Sequence, residues 1–463
     1  MLKLNISSII LIAALLINHS AAVAQAKSDT KAQQPNIIII LTDDMGFSDI
    51  GAFGGKFVPT PNLDRLAEGG LKLSQYYSAA PICSPSRVSL LTGMYPARWN
   101  FSTYLDNRKH NREAEQADFL DTSAPTIAKF FKAAGYATGH FGKWHMGGGR
   151  DVKNAPGFEE YGFDAHSSTY ESPDPDKALT STDWIWSEKD SVKRWDRTKY
   201  FVDKTLEFMA KSQGKPCFIN LWPDDVHTPW VPRTEKEYTG KFPMNPQEEA
   251  AFKGVLKEYD VQIGRLLDGL KKMGADKNTI IIFTSDNGPL PSFRGTRALG
   301  LRGTKLSLYE GGTRIPFIIS WAGHTPVNKI DEKSEVNSTD LLPSLAKMAG
   351  ITLPSSFKGD GMDRSAIFYG KPGPREKEMF WEYGRNNIAF KYPKEPDKSP
   401  NLAVRDGDWK LLMNNDGTDV QLYNISKDKK ESVNVANANP KLTNELKDKL
   451  MVWWNSLPKL GSK

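Results

Sequence analysis

Short apolar runs alternate along the chain with segments whose apolar residues recur at helical spacing. The runs are rich in Ile, Leu and Phe and are too short for helices, so they predict strands buried on both faces of a sheet. The five clearest strands cover 36–41, 136–141, 217–221, 279–284 and 315–321, and helical spacing covers 126–134, 199–211 and 249–273. This alternation predicts an α/β fold with a largely parallel central sheet.

The pattern changes after about residue 370, where short apolar stretches are separated by turn residues. The stretches 379–383, 402–405, 409–413 and 420–423 predict a small antiparallel sheet, and a helix is predicted over 440–456. Gly and Pro at 370–374 predict a linker. We therefore expect a large domain over 25–370 and a C-terminal α+β subdomain over 375–463.

The first residues have the pattern of a secretory signal peptide. Lys3 precedes the apolar run 9–17, and the small residues Ala22-Val23-Ala24 follow it, which predicts a signal peptide over 1–24. The run is too short for a comfortable membrane span, and no later segment approaches the roughly 18 apolar residues that a span needs. We expect an exported protein without a membrane anchor, periplasmic or secreted if the source is bacterial.

Charge and cysteine content narrow the function classes. The 463 residues carry a formal net charge of +6 without a dense Lys/Arg stripe, which allows an anionic substrate and does not indicate nucleic-acid binding. The two cysteines differ in context, because Cys83 lies in a polar motif and Cys217 in an apolar run. Although export permits disulfides, we expect none here, with Cys217 packed as a small hydrophobic residue.

Acidic residues follow two of the buried strands. Asp43 and Asp44 come directly after the first strand, and Asp286 and Asn287 follow the strand over 279–284. Because ligands gather beyond the carboxyl ends of strands in open α/β sheets, these oxygens are expected to converge on a cation, with Ca²⁺ the best fit and Mg²⁺ the next. The alternative is a helix cap and a separate Asp-Asn-Gly turn.

Bases and cations follow the other strands. Lys143 and His145 come after the strand over 136–141, and His227 comes after the strand over 217–221. Lys305 follows a glycine-rich stretch. A single histidine in such a place is more often structural, but the four residues together indicate a site for acid–base chemistry on an anion.

The five residues from Cys83 to Arg87, Cys-Ser-Pro-Ser-Arg, resemble the Cys-X-Pro-X-Arg signature of type I sulfatases. These enzymes belong to the alkaline phosphatase-like superfamily, which implies an α/β/α sandwich. The resemblance covers about 35–431. Its other motifs are Asp43-Asp44, Leu91-Thr92-Gly93, Lys143-Trp144-His145, His227-Thr228-Pro229, Asp286-Asn287-Gly288, Gly303-Thr304-Lys305 and Gly407-Asp408-Trp409-Lys410-Leu411.

The resemblance implies that Cys83 is converted to formylglycine (3-oxoalanine) by a separate formylglycine-generating enzyme, and that its hydrated form attacks sulfur. It implies one Ca²⁺, and the implied ligands are Asp43, Asp44, Asp286, Asn287 and modified Cys83. Lys143 and Lys305 would clamp the sulfate, and Arg87 would orient the hydrated aldehyde. His145 would deprotonate its second hydroxyl, and His227 would protonate the leaving oxygen. Either Ser167 or Ser168 is expected to add a contact.

The expected substrate is a sulfated carbohydrate, with a small aryl or choline-type sulfate ester as the alternative. Aromatic and basic residues outside the strands are candidate sugar contacts or ordinary packing: Arg98, Trp99, Arg150, Trp184, Trp186, Arg294 and Arg297. Two other functions stay open. One is a phosphonate or phosphate monoester hydrolase on the same scaffold, and the other is a non-catalytic glycan-binding protein with unmodified Cys83.

Overall fold

In the computed structural model of this protein, which describes residues 34–179, 190–233, 248–390 and 397–459, strands alternate with helices. The strands are β1 (Asn36–Thr42), β2 (Leu71–Tyr77), β3 (Ala137–Gly142), β4 (Ala165–Ser168), β5 (Cys217–Trp222), β6 (Thr279–Ser285), β7 (Arg314–Ser320), β8 (Lys329–Asp331), β9 (Val336–Asn337), β10 (Met379–Glu382), β11 (Leu402–Asp406), β12 (Trp409–Met413) and β13 (Gln421–Asn424). The α-helices are α1 (Pro61–Glu68), α2 (Cys83–Thr92), α3 (Arg108–Glu113), α4 (Ile127–Ala133), α5 (Arg197–Lys211), α6 (Glu249–Lys272), α7 (Glu310–Thr313), α8 (Leu341–Met348), α9 (Ser365–Phe368) and α10 (Pro440–Asn455).

Short 3₁₀ helices supplement these elements. They cover Phe47–Asp49, Gly51–Phe53, Pro96–Trp99, Phe158–Tyr161, Arg194–Asp196, Asp276–Asn278, Phe293–Ala298 and Ser338–Asp340. All of the strands and helices predicted above are present, with ends that shift by one or two residues. The strand β2 and the short strands β4, β8 and β9 were not predicted.

Nine strands form the central sheet in the order β4-β3-β5-β1-β6-β7-β2-β8, with β9 also paired to β2. Neighbours from β4 to β6 run parallel, and β2 runs parallel to β8 and β9. Among the described strands of this sheet, only β7 runs in the opposite direction, since it pairs antiparallel with both β6 and β2. The prediction of a largely parallel sheet is confirmed.

The central strand β1 packs against a hydrophobic core on each face of the sheet. Its residues Ile37, Ile39 and Leu41 contribute to one core, which contains apolar side chains of α2, α4 and α8. Ile38 and Ile40 point to the other core, which contains side chains of α1, α5 and α6. Successive side chains of a strand face opposite sides, so a continuous Ile run is what a strand between two helical layers requires. The structure is therefore an α/β/α sandwich.

A second sheet, in the order β10-β11-β12-β13, is antiparallel throughout. Leu446 and Leu450 of α10 pack on one of its faces. The other face contributes Trp381 and Leu412 to a core that also contains Cys83, so the second sheet supports the start of α2. Pro35–Lys463 form one compact unit, and the domain boundary at 370–374 stays a prediction.

The predicted signal peptide over 1–24 lies outside the described residues. Within the described ranges, none of the helices is both long enough and apolar enough to cross a bilayer. Cys83 and Cys217 are both buried and unbonded to each other, which confirms the prediction of two free cysteines.

Candidate active site

The acidic residues converge because β1 and β6 are adjacent, parallel and in register, with Thr42 opposite Ser285. The chain therefore leaves both strands at the same edge of the sheet. The Asp44 amide donates to Asp286 Oδ1 at 3.2 Å, and Asn287 Nδ2 donates to Asp44 Oδ1 at 2.7 Å. Asp43, Asp44, Asp286 and Asn287 are all buried. These residues form one cluster of oxygen ligands, which we call the carboxylate cluster.

Helix α2 places Cys83 beside this cluster. Cys83 is the first residue of the helix and is 3% exposed, and its sulfur and carboxylate oxygens of Asp43 and Asp286 all lie within 4.8 Å of one another. One turn later, Arg87 NH2 donates to Asp286 Oδ2 at 2.7 Å and lies 3.6 Å from Asp43 Oδ2. Its NH1 donates to the Lys143 carbonyl at 2.9 Å. Residues four apart lie on one face of a helix, which explains why Cys83 and Arg87 reach the same carboxylates.

Two buried lysines donate to the same cluster. Lys143, which follows β3, lies 2.7 Å from Asp43 Oδ2, and Lys305 lies 2.7 Å from Asp44 Oδ1 and 2.8 Å from its Oδ2. Burial is the largest single effect and disfavours the charged form of both lysines. The nearby groups outweigh it only together: Asp43 and Cys83 act on Lys143, and Asp44 acts on Lys305 with Cys83 and Asp43. Both pKa values are therefore raised above the usual value of a lysine. The three cations, including Arg87, balance the three carboxylates.

Two oxygens of the cluster have no hydrogen-bond partner within the part of the chain that the structure describes. Asp43 Oδ1 and Asn287 Oδ1 are buried and unpaired, which is rare for polar atoms in protein interiors. Burial, with Asp43 nearby, raises the pKa of Asp286 well above its usual value despite the contact with Arg87. Carboxylate and amide oxygens are the ligands that hard divalent cations bind. The residues present therefore fit a divalent cation.

Two histidines lie at the edge of the cluster, of which His145 is buried and His227 is partly buried. His227 Nε2 lies 3.6 Å from Asp44 Oδ2, and its Nδ1 lies 2.6 Å from the Thr228 carbonyl oxygen. Burial, together with Lys305, lowers the pKa of His227 to about 4. Burial also lowers the pKa of His145 to about 4. Both imidazoles are therefore neutral at pH values near 7.

Asp44 and His145 both adopt left-handed backbone conformations, with φ of 60° and 54°. Such conformations cost a non-glycine residue on the order of 1 kcal/mol and persist where the surrounding structure imposes them. Their occurrence at two predicted site residues is consistent with a strained functional loop. The sequence contains no signal for either conformation.

The two candidate serines face opposite sides of β4. Ser167 Oγ donates to Asp176 Oδ2 at 2.7 Å. Ser168 lies opposite Gly142 of β3, the residue before Lys143, and its hydroxyl is buried with no hydrogen-bond partner in the described ranges. Ser168 is therefore the better candidate for a contact in the site.

The sugar contacts predicted for Arg98 and Trp99 stay predictions. Arg98 forms a bidentate ion pair with Asp360, with its Nε 2.8 Å from Oδ2 and NH2 2.7 Å from Oδ1. Trp99 packs against the core on the α2 side of the sheet. Trp184 and Trp186 lie outside the described residues.

Of the basic loop candidates, only Arg294 is exposed and without a partner among the described residues. Arg150 and Arg297 form ion pairs with buried carboxylates. Arg294 lines a cavity of about 480 Å³ together with Thr304, the neighbour of Lys305. This cavity is therefore a candidate for a second anionic group on the substrate.

A buried acid that the sequence did not single out contacts His145. Glu171 follows β4 and has no motif of its own, and its Oε2 lies 3.1 Å from His145 Nε2. Sequence spacing alone could not find it, because the loop after β4 contains several acids and no periodic pattern.

Comparisons with known proteins agree with this geometry. A family model described as Sulfatase matches residues 35–351, and one described as N-sulphoglucosamine sulphohydrolase, C-terminal, matches residues 304–455. The N-acetylgalactosamine-6-O-sulfatase of Bacteroides thetaiotaomicron is 29% identical over 92% of this chain and 94% of its own. Human arylsulfatase A is 28% identical over 93% of this chain and 89% of its own.

Solved structures with a similar fold also include sulfatases. A sulfatase structure from work on glycosaminoglycan metabolism by Bacteroides thetaiotaomicron superposes with a TM-score of 0.74, 26% identity and coverage of 92% of this chain and 100% of that one. The structure of Ps i-CgsB in complex with k-i-k-neocarrahexaose has a TM-score of 0.74, 25% identity and coverage of 93% and 94%.

Proposed function

Because this chain belongs to the sulfatase family and is an enzyme that hydrolyses sulfate esters, we propose that its substrate is a sulfated carbohydrate and that its nucleophile derives from Cys83. The observation that carries the proposal is the burial of Cys83 at the start of α2, between the carboxylates of Asp43 and Asp286. The names of the related enzymes support a sugar sulfate, and N-acetylgalactosamine 6-sulfate is the first substrate to test.

Cys83 is proposed to become formylglycine through a separate formylglycine-generating enzyme. The hydrated aldehyde supplies an oxygen nucleophile for sulfur, which an unmodified cysteine does not. The position suits the group, because Cys83 lies at a helix N-terminus, where backbone amides favour negative charge. Arg87, fixed by Asp286 and by the Lys143 carbonyl, is placed to orient the modified side chain.

Ca²⁺ is the proposed metal, with Asp43, Asp44, Asp286, Asn287 and residue 83 as its ligands. When bound, it supplies a Lewis acid for sulfate oxygens. The three carboxylates are already balanced by three cations, so a divalent ion leaves the site with an excess charge of about +2. That excess attracts an anionic sulfate ester and leaves the ammonium groups of the site lysines available to its oxygens.

The two lysines and the two histidines of the site are proposed to perform the remaining roles. Lys143 and Lys305 are proposed to donate to sulfate oxygens and to neutralise the charge that develops there. His227 Nε2 lies 3.6 Å from Asp44 Oδ2, and His227 is assigned protonation of the leaving alcohol oxygen, a role that requires its neutral ring first to take up a proton on Nε2. His145 is assigned the base role toward residue 83.

Export is proposed from the signal peptide over 1–24, with the mature enzyme in the periplasm or medium if the source is bacterial. An oxidising compartment is compatible with two cysteines that do not pair. The substrate and the maturation enzyme are the expected partners, with no nucleic acid and no membrane anchor.

The test combines peptide mass spectrometry across residue 83 with a substrate panel. Protein is produced with and without a co-expressed formylglycine-generating enzyme, and turnover is measured on 6-O-sulfated N-acetylgalactosamine, other glycan sulfates, aryl sulfates and phosphonate esters. We expect formylglycine at residue 83 and sugar-sulfate turnover only in the modified protein. Turnover without the modification, or a dominant phosphonatase activity, would contradict the proposal.

A further inference from the structure

Glu171 holds His145 at both its backbone and its ring. The Glu171 carbonyl oxygen accepts from the His145 amide at 3.0 Å, and Oε2 lies 3.1 Å from the ring Nε2. The other carboxylate oxygen, Oε1, accepts from Arg150 Nε at 3.2 Å and from its NH2 at 3.0 Å. Glu171 is 6% exposed, so this carboxylate is oriented by partners on both sides and is shielded from water.

The contacts of His145 determine which ring nitrogen carries the proton. Nε2 lies 3.2 Å from the Leu105 carbonyl oxygen as well as 3.1 Å from Glu171 Oε2. A carbonyl oxygen only accepts hydrogen bonds, so the contact with Leu105 makes Nε2 the donor, and the Glu171 carboxylate oxygen faces the same nitrogen. Nδ1 is buried and has no partner among the described residues, and in the neutral ring it holds the lone pair.

A short chain of hydrogen bonds connects this ring to the helix that begins at Cys83. The Leu105 carbonyl faces His145 Nε2, and the Leu105 amide donates to Ser84 Oγ at 3.1 Å. Ser84 follows Cys83 directly in α2. The positive charges of Lys143 and Arg87 are also close enough to influence the His145 ring. His145 therefore lies beside the catalytic segment and is connected to it.

We propose that Glu171 is a positioning residue that fixes the His145 tautomer with its proton on Nε2, so that Nδ1 is the nitrogen that takes a proton from residue 83. The second part rests on the proposed function, whereas the tautomer does not. When the hydroxyl of modified residue 83 gives up its proton, the O–H bond breaks, an N–H bond forms at Nδ1 and the electron pair stays on oxygen. The Glu171 carboxylate balances the positive charge that the ring gains.

The same contacts hold a strained backbone. His145 has φ of 54°, which costs on the order of 1 kcal/mol for a residue with a side chain. The backbone hydrogen bond to the Glu171 carbonyl and the 3.1 Å contact between the ring and the Glu171 carboxylate restrain the same residue from two directions. Loss of the carboxylate should therefore leave the ring held only by the Leu105 carbonyl, while the backbone bond to Glu171 remains.

The variant Glu171→Gln tests whether the carboxylate determines which ring nitrogen of His145 carries the proton. Arg150 has only donors, so the glutamine oxygen should stay with Arg150 and the amide NH₂ should turn to the histidine. A donor at that point opposes a proton on Nε2, whereas the Leu105 carbonyl still favours it, so the variant should populate a mixture of the Nδ1–H and Nε2–H tautomers. The matched control is Glu382→Gln. Glu382 is a similarly buried glutamate of β10 in the second sheet, and its partner is Arg385.

The measurement is ¹⁵N NMR of full-length protein with labelled histidine, with His145→Asn identifying the His145 signals. We expect a neutral Nε2–H ring in the wild type and in Glu382→Gln, and a mixed tautomer in Glu171→Gln. On the modified enzyme, kcat on a sugar sulfate should fall about 100-fold in Glu171→Gln with little change in KM, and the control should keep the wild-type kcat.

A wild-type His145 protonated on Nδ1 overturns the proposal even if Glu171→Gln does not fold. A tautomer that is unchanged in a folded Glu171→Gln overturns it whatever the activity. The failure of the proposed function has a different result, because a modified wild type that turns over no sulfate ester would refute that function while the NMR spectra still decide the role of Glu171.

Discussion

Arg87 is the most deeply buried of the three cations that contact the carboxylate cluster, so we expect its removal to destabilise the protein most. Its guanidinium is fully buried, donates to Asp286 at 2.7 Å and lies 3.6 Å from Asp43. Replacement by methionine keeps much of the side-chain volume but removes the charge. Two buried carboxylates then lose a cation at a site that water does not reach, so Arg87→Met should destabilise the protein strongly in the absence of divalent metal.

The size of this effect follows from the cost of breaking a buried ion pair, about 3 to 5 kcal/mol. An unfolding entropy of about 2.1 cal/mol/K per residue gives about 0.9 kcal/mol/K for a unit as large as Pro35–Lys463. The expected fall in Tm is therefore about 3 to 6 °C in the presence of a chelator. Ca²⁺ should raise the Tm of Arg87→Met more than that of the wild type, because the cation replaces part of the missing positive charge.

Differential scanning fluorimetry with EDTA and with Ca²⁺ measures both quantities. Arg375→Met is the matched control, since Arg375 is also buried and paired with an aspartate, Asp340, that is not part of the cluster. The control should lose stability without gaining a larger Ca²⁺ response. An Arg87→Met protein with an unchanged Tm in EDTA, or a Ca²⁺ response no larger than that of the control, would refute the reasoning.

Three further predictions concern the nucleophile, the metal and a buried ion network. Cys83→Ala should abolish sulfate-ester turnover while costing only about 1 kcal/mol of stability, and detectable turnover in a discontinuous sulfate-release assay would argue against the assigned nucleophile. Chelation should inactivate the modified enzyme and added Ca²⁺ should restore turnover, with recovery by Mg²⁺ alone pointing to a different metal. Burial, with nearby Glu310, outweighs the contact with Lys410 and raises the pKa of Glu431 from 4.5 to about 7. A carboxyl whose pKa is raised by folding makes the protein less stable as the pH rises from its pKa in the unfolded state to its pKa in the folded state. Glu431→Gln should therefore flatten the decline in Tm between about pH 4.5 and 7. An unchanged slope of Tm against pH would contradict this.

The main strands and helices could be predicted because their signals are local. In β1 and β6, continuous Ile runs indicate burial on both faces, and the observed strands extend only one residue beyond the predicted ones. The sequence Leu-Lys-Leu-Ser-Gln-Tyr-Tyr of β2 carries a weaker alternation and was not recognised, and it owes its place in the sheet to its pairing with β7. Strand pairing is a long-range property, so the reversal of β7 had no signal in the sequence.

The sequence predicted those site residues that follow a buried strand or belong to a motif. Asp43, Asp286, Lys143 and His227 all do so, and the structure brings them together. Glu171 belongs to no motif, and its role depends on a fold that returns the loop after β4 to His145. Arg98 stays a predicted sugar contact, and its ion pair with Asp360 is a long-range contact that had no signal in the sequence.

The sequence alone determined which chemical groups this protein can bring to the end of its sheet, because strand periodicity and the residues that follow each strand are local properties of the chain. Tertiary structure alone decided how those groups pair. Lys143 meets Asp43 across 100 positions, and Lys305 meets Asp44 across 261. Charge balance, burial and the tautomer of His145 all depend on such distant contacts, and these exist only once parallel strands bring their carboxyl ends to one edge.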